Sequence, residues 1–200
     1  MREVVVIGAG PSGLASAKEL QEHDIKPTIL EASDCVGGLW YPGRGHMWDT
    51  MTTNVSRYTC CFSDLPHLPE IPHFPTVAMM NDYLLRYSHQ NDLDRRIHLQ
   101  RTVTGIEQDG DKVIVKTRSR NGSLRDQKFD GVISCSGFFT RGVKPKIPGQ
   151  GDFGGKIIHS SEYRHRDLYS GEDVIVIGNG LSGVEICADL ACTAKSITHV

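Results

Sequence analysis

Two runs of β-branched residues stand out in the pattern of apolar and polar positions. Val4-Val5-Val6-Ile7 and Val174-Ile175-Val176-Ile177 show no polar alternation. Each therefore predicts a strand buried on both faces, as in a parallel sheet. Each run enters a glycine-rich turn, Gly8-Ala9-Gly10-Pro11-Ser12-Gly13 in the first case and Gly178-Asn179-Gly180-Leu181-Ser182-Gly183 in the second. A helical apolar stripe follows each turn, formed by Leu14, Ala17 and Leu20 after the first and by Val184, Cys187, Ala188 and Ala191 after the second. Pro27-Thr28-Ile29-Leu30 predicts another strand ending at Glu31, and Ser196 to Val200 predicts the start of one more.

Between these units the periodicity changes. Residues 41–75 are rich in proline, histidine and aromatics and read as one long loop over a binding site. Thr76 is placed to cap a helix reaching to about Gln90, with Val77, Met80, Leu84 and Tyr87 on one face. From 101 to 135 the pattern is that of three antiparallel strands, turning at Asp109-Gly110-Asp111 and at Asn121-Gly122-Ser123. The last piece, Asp130 to Cys135, becomes apolar, as a strand rejoining the parallel sheet would. Lys144 to Gly149 reads as a linker. The predicted fold is α/β: a Rossmann-like domain with an antiparallel β insertion over 1–150, then a linker motif and the start of a second Rossmann-like domain over 151–200. The second unit stops inside its βαβ pattern, so the chain reads as the N-terminal portion of a longer protein.

Composition narrows the function classes. Lysine and arginine number 22 against 24 acidic residues, a net charge of −2. Such a balance offers no general attraction to nucleic acid or to an anionic membrane. No run of about 18 apolar residues occurs, so no membrane segment is expected in these residues. The first strand begins almost at once, leaving no space for a signal peptide within them. None of the six cysteines forms a C-x-x-C pair, and no cluster has zinc-ligand spacing, so reduced thiols, no metal and a cytoplasmic location are expected. Cys60-Cys61 is the one adjacent pair with redox potential.

The glycine turns carry the chemistry. In a strand–turn–helix context the first glycine permits the tight turn, the second lets backbone approach a pyrophosphate, and the third allows helix and strand to pack closely. The helix N-terminus supplies free N–H groups and a partial positive charge to the phosphates. Glu31, about 20 residues beyond the first turn, suits a ribose 2′-OH and would repel a 2′-phosphate, so the first site should hold FAD or NAD rather than NADP. Two such turns point to electron transfer between two dinucleotides.

A rarer pattern lies between them, Phe153-x-Gly155-x-x-x-His159-x-x-x-Tyr163. It resembles the identifying motif of the flavin-containing monooxygenases, within the class B flavoprotein monooxygenases. Glu31 through Gly37-Gly38-Leu39-Trp40, Thr53-Asn54, Phe62-Ser63-Asp64-Leu65-Pro66 and Ser134-Cys135-Ser136-Gly137 are similar to further stretches of that family, in the family's order.

The resemblance implies FAD at the first turn and NADP(H) at the second. It implies hydride transfer to the flavin, addition of O2 at C4a to give a hydroperoxide, and transfer of one oxygen to a small-molecule amine or sulfide. It places Gly38, Leu39, Trp40, Thr53 and Asn54 at the flavin, with Asn54 the side chain nearest the reaction, and Gly178, Gly180, Leu181, Ser182 and Gly183 at the nicotinamide cofactor. His159 reads as structural rather than catalytic. Tyr163 stands where the Baeyer–Villiger relatives typically have tryptophan, which favours heteroatom oxygenation. A Baeyer–Villiger enzyme, a pyridine nucleotide disulfide reductase and a non-catalytic flavin-binding fragment remain the alternatives, and assembly into a homo-oligomer is left open.

Overall fold

The structure, a computed structural model, describes residues 1–44, 47–139 and 141–200. The chain divides into two units, Met1–Arg44 with Thr52–Thr140, and Gly45–Met51 with Arg141–Val200.

The first unit is built on a parallel sheet. Strands β1 (Glu3–Ile7), β2 (Lys26–Leu30), β3 (Ile97–His98) and β7 (Gly131–Ser134) lie in the order β3-β2-β1-β7. The register sets Val5 beside Thr28 and Val132, and Val6 beside Ile29 and Ile133. Val5 and Val6 are both fully buried although successive side chains point to opposite faces, as the uninterrupted apolar run predicts. On one face, Val6 and Ile29 meet Leu14 and Ala17 of helix α1 (Pro11–Glu22) and Met80, Tyr83, Leu84 and Tyr87 of helix α2 (Val77–Gln90). On the other face, Val5 and Leu30 pack against Val113, Val115 and Phe129. Those residues come from an antiparallel meander, β4 (Arg101–Asp109), β5 (Lys112–Ser119) and β6 (Leu124–Phe129). The insertion is thus the second cover of the sheet.

Thr76 caps α2 as its sequence position predicts, its side chain accepting from the Met79 N–H. The last predicted strand is two elements: β6 belongs to the meander and β7 to the parallel sheet, with the break at Asp130. The Asp130 carboxylate accepts the Glu3 N–H and holds that corner. The two-residue β3 gives no periodic signal and escapes sequence reading.

The second unit pairs β8 (Asp173–Val176) with β9 (Ser196–His199) in parallel, with helix α3 (Leu181–Leu190) between them in sequence. Its core is Trp48, Tyr163, Ile186 and Leu190. Two expectations fail here. The run beginning at Val174 is not buried on both faces, since Ile175 and Ile177 are 55% and 60% exposed. The α3 stripe is also not the predicted one: Ile186 and Leu190 are buried, whereas Val184 and Ala188 are exposed and Ala191 lies past the helix. With two strands, the sheet has one covered face, and the helix turns toward that face and the Tyr163 segment. The 41–75 loop is also not one piece, because Trp48 and Met51 join the core of the second unit.

Candidate cofactor sites

The first glycine turn connects β1 to α1. Gly8 has φ of +103°, a conformation that costs a side chain dearly, and its N–H donates to the Leu30 carbonyl at 2.8 Å. A Cβ on Gly8 would lie 2.5 Å from the Cys135 carbonyl oxygen, and one on Gly13 would overlap the Gly8 carbonyl oxygen. Gly10 differs. A Cβ there would meet only the Gly38 backbone, its Cα at an ordinary 3.5 Å. The protein therefore leaves room beside Gly10.

Helix α1 begins with Gly10 in the N-cap position and no capping side chain, with Pro11 in its first turn. The Ser12 and Gly13 N–H groups receive no side-chain cap, in contrast to α2 with its Thr76 cap. An uncapped N-terminus behind an open glycine fits a diphosphate well.

Glu31 is 3% exposed. One carboxylate oxygen accepts the Ala9 N–H at 2.7 Å, and the other accepts the Ser33 N–H and hydroxyl at 2.8 and 2.7 Å. Glu31 therefore braces the glycine turn from below, a role that spacing alone does not disclose. The oxygen bonded to Ala9 retains a lone pair for a ribose hydroxyl.

Gly38, Leu39 and Trp40 form a short 3-10 turn. The loop before it is tied to the glycine turn by Gly37 N–H donating to Ala9 O at 3.0 Å, and a Cβ on Gly38 would come within 2.9 Å of the Gly10 Cα. The structure thus brings Gly8 to Gly13, Glu31 and Gly38 together. Trp40 is half-buried against the helical core of this unit. Thr53 is buried, its N–H donating to Pro75 O and its hydroxyl to Val55 O, both at 2.8 Å. Asn54 beside it is exposed, and the loop's hydrogen bonds are made by Thr53 rather than by the Asn54 amide.

The segment after Asn54 is anchored from α2, which sequence reading misses. The Tyr83 hydroxyl accepts the Phe62 N–H at 2.6 Å and donates to Leu65 O at 2.7 Å, and burial pushes its phenol up to about 12. Arg57 donates to the carbonyls of Leu68, Pro69 and Ile71 at 3.0, 2.6 and 2.5 Å. Cys60 and Cys61 turn to different partners, Met80 Sδ and Tyr58 O. Burial also raises the Cys60 thiol, the opposite of what a thiol-exchange nucleophile needs.

In the second unit, the turn from β8 to α3 repeats the plan. Gly178 has φ of +121°, its N–H donates to Val200 O at 2.8 Å, and a Cβ on Gly183 would overlap the Gly178 carbonyl oxygen. Gly180 occupies the N-cap position with no capping side chain. Leu181 and Ser182 are exposed, and His199 Nε2 lies 3.1 Å from Gly178 O.

The linker motif folds into the same unit. His159 Nδ1 accepts the Ser161 N–H while Glu162 accepts the His159 N–H, a reciprocal cap that gives His159 a structural role. Tyr163 is buried edge-on to Trp48, and its hydroxyl donates to Asp189 at 2.6 Å. Asp189 also accepts from Thr50 and Arg166. Phe153, the first residue of the motif, is 51% exposed. Among the described residues, no helix is long and apolar enough to cross a membrane.

A family model for flavin-binding monooxygenase-like proteins matches residues 1–199. Flavin-containing monooxygenase 3 of Oryctolagus cuniculus is 33% identical across 98% of the chain and 39% of its own length. Dimethylaniline monooxygenase [N-oxide-forming] 4 of Homo sapiens is 34% identical across 98% of the chain and 37% of its own length. The structure of S-allyl-L-cysteine S-oxygenase from Allium sativum superposes with a TM-score of 0.91 at 28% identity, over 99% of this chain and 50% of that one. The chain therefore spans about two-fifths of the length of the curated relatives it matches.

Proposed function

We infer the chemistry from kinship: this chain belongs to the flavin-binding monooxygenase-like family. We propose that it contributes the FAD site and part of the NADP(H) site of an NADPH-dependent monooxygenase, and that the oxygen acceptor is a soft nitrogen or sulfur in a small molecule. The observation that carries this reading is the pair of glycine turns, each leading to a helix whose N-terminus has no side-chain cap. An N-oxide-forming relative and an S-oxygenating structural neighbour support the acceptor class.

In this reading FAD rests its diphosphate on Gly10, Ser12 and Gly13, with Glu31 accepting from a ribose hydroxyl and Gly38 to Trp40 covering the flavin side. Gly178, Gly180, Leu181, Ser182 and Gly183 receive NADP(H). Bound flavin would supply the redox chemistry: reduced by hydride from NADPH, it would react with O2, deliver one oxygen atom to the acceptor and release the other as water. The protein's own contribution is positioning and exclusion of water. Asn54 is exposed beside the buried Thr53, and among the described residues its side-chain amide makes no hydrogen bond, which leaves it placed to bond a cofactor.

The test is spectroscopic. The protein should purify yellow, NADPH should bleach it without oxygen, and readmitted oxygen with NADP present should raise a near-ultraviolet band. Flavin that binds but never bleaches would overturn the reading in favour of a non-catalytic module. Asn54→Ala should keep its colour and lose product formed per NADPH consumed; unchanged coupling would remove Asn54 from the site.

A further inference from the structure

Asn81 sits on α2 and is only 7% exposed, buried together with Val77, Met80, Tyr83, Leu84, Tyr87 and Ser88 of the same helix. A buried amide costs stability unless it is hydrogen-bonded. Its Nδ2 donates to the Val36 carbonyl at 2.8 Å, 45 positions away in sequence. The next residue, Gly37, has φ of +129°, and a Cβ there would overlap that same Nδ2. Gly37 N–H then donates to Ala9 O, and Gly38 lies so near Gly10 that a Cβ on Gly38 would come within 2.9 Å of the Gly10 Cα. A continuous chain of contacts thus runs from the α2 amide through Val36, Gly37 and Gly38 to the glycine over which a diphosphate would lie.

Resting on the FAD assignment of the first turn, we propose that Asn81 is a positioning residue for the flavin cofactor: by fixing the Val36 carbonyl, it sets how closely the Gly37-Gly38 strap approaches Gly10, and so the width of the diphosphate slot. Asn81 need not touch the cofactor. Its amide is matched to a strap that only glycine can form, because any side chain at Gly37 would displace it. Loss of the amide leaves the Val36 carbonyl unpaired in an apolar setting, and the strap moves to find water.

The test compares FAD release and FAD affinity in apo-protein made from four forms of the full chain: wild type, Asn81→Asp, Asn81→Ser and Ser88→Ala. Ser88 is a control, a fully buried hydroxyl on the same helix that donates to Asp94 and not to the strap. Asn81→Asp keeps the shape and removes the donor, and Asn81→Ser avoids a buried charge should the aspartate fail to fold. Each Asn81 variant should weaken FAD about tenfold, mainly through faster release, whereas Ser88→Ala should lower the melting temperature of the apo-protein and leave FAD affinity unchanged within about twofold. Asn81 variants that hold FAD as tightly as wild type overturn the inference, as does a Ser88→Ala variant that loses FAD equally. Wild-type protein that takes up no FAD would instead overturn the cofactor assignment, and this inference with it.

Discussion

The two glycine turns are alike at the centre and unlike at the edge. In both, the first glycine has positive φ and its N–H donates to a carbonyl at the end of the neighbouring strand segment, Leu30 in β2 and Val200 just past β9, and the third lies against the carbonyl of the first. Around the first turn, however, stand Cys135 just past the end of β7, the strap of Gly37 and Gly38, and the Glu31 carboxylate. A methyl placed on Gly178 or Gly180 would find no described atom within 4 Å apart from its chain neighbours. The motif encodes the local contact of strand, turn and helix. The enclosure around the first turn comes from residues tens of positions away.

The largest test asks whether the shared centre is equivalent. Gly13→Ala and Gly183→Ala each drive a methyl into a backbone oxygen that cannot rotate aside. Each should cost about 3 kcal/mol or more, read by denaturant unfolding. The two tryptophans divide conveniently, Trp40 in the first unit and Trp48 in the second, so single-tryptophan variants report each unit separately. A loss confined to one of the pair would break the likeness.

Where the sequence is legible, one physical rule decides the outcome. Val4 to Ile7 announce a doubly covered strand, and Leu14, Ala17 and the Thr76 cap announce helices, because local pattern and tertiary packing agree there. The same rule fails at Val174 to Ile177, where burial depends on covers that local pattern cannot supply. Spacing identifies Glu31 but hides its grip on Ala9, since a contact across 22 positions leaves no periodic trace. Asn81 and Tyr83 escape notice for a related reason: each looks like a residue of an ordinary amphipathic helix, and only the loops they hold give them meaning. Trp48 vanishes into an aperiodic stretch that serves two units.

A smaller effect should separate the edges. Gly8→Ala and Gly178→Ala both place a side chain at positive φ, a strain of roughly 1–2 kcal/mol in each. Only Gly8→Ala adds a clash, with the Cys135 carbonyl oxygen at 2.5 Å. It should therefore be the more destabilising of the two by about 1–3 kcal/mol in the same unfolding experiment. Equal losses would mean that the Cys135 segment yields freely and that the first turn is no more enclosed than the second.

The smallest effect on stability belongs to the middle glycines, and it is the most informative about function. Gly10→Ala brings a methyl to 3.5 Å from Gly38 Cα, and Gly180→Ala meets nothing within 4 Å, so each should change folding stability by no more than about 1 kcal/mol. Their ligand effects should diverge completely. Gly10→Ala fills the space over which the flavin diphosphate would lie, so the folded protein should be colourless. Gly180→Ala should stay yellow and bleach slowly, with a raised NADPH requirement. Should Gly10→Ala fold and remain yellow, FAD does not use the first turn; should Gly180→Ala bleach like the wild type, the second turn is not where the reductant docks. Because neither methyl meets a protein atom closely, a change in either readout is attributable to the cofactor alone.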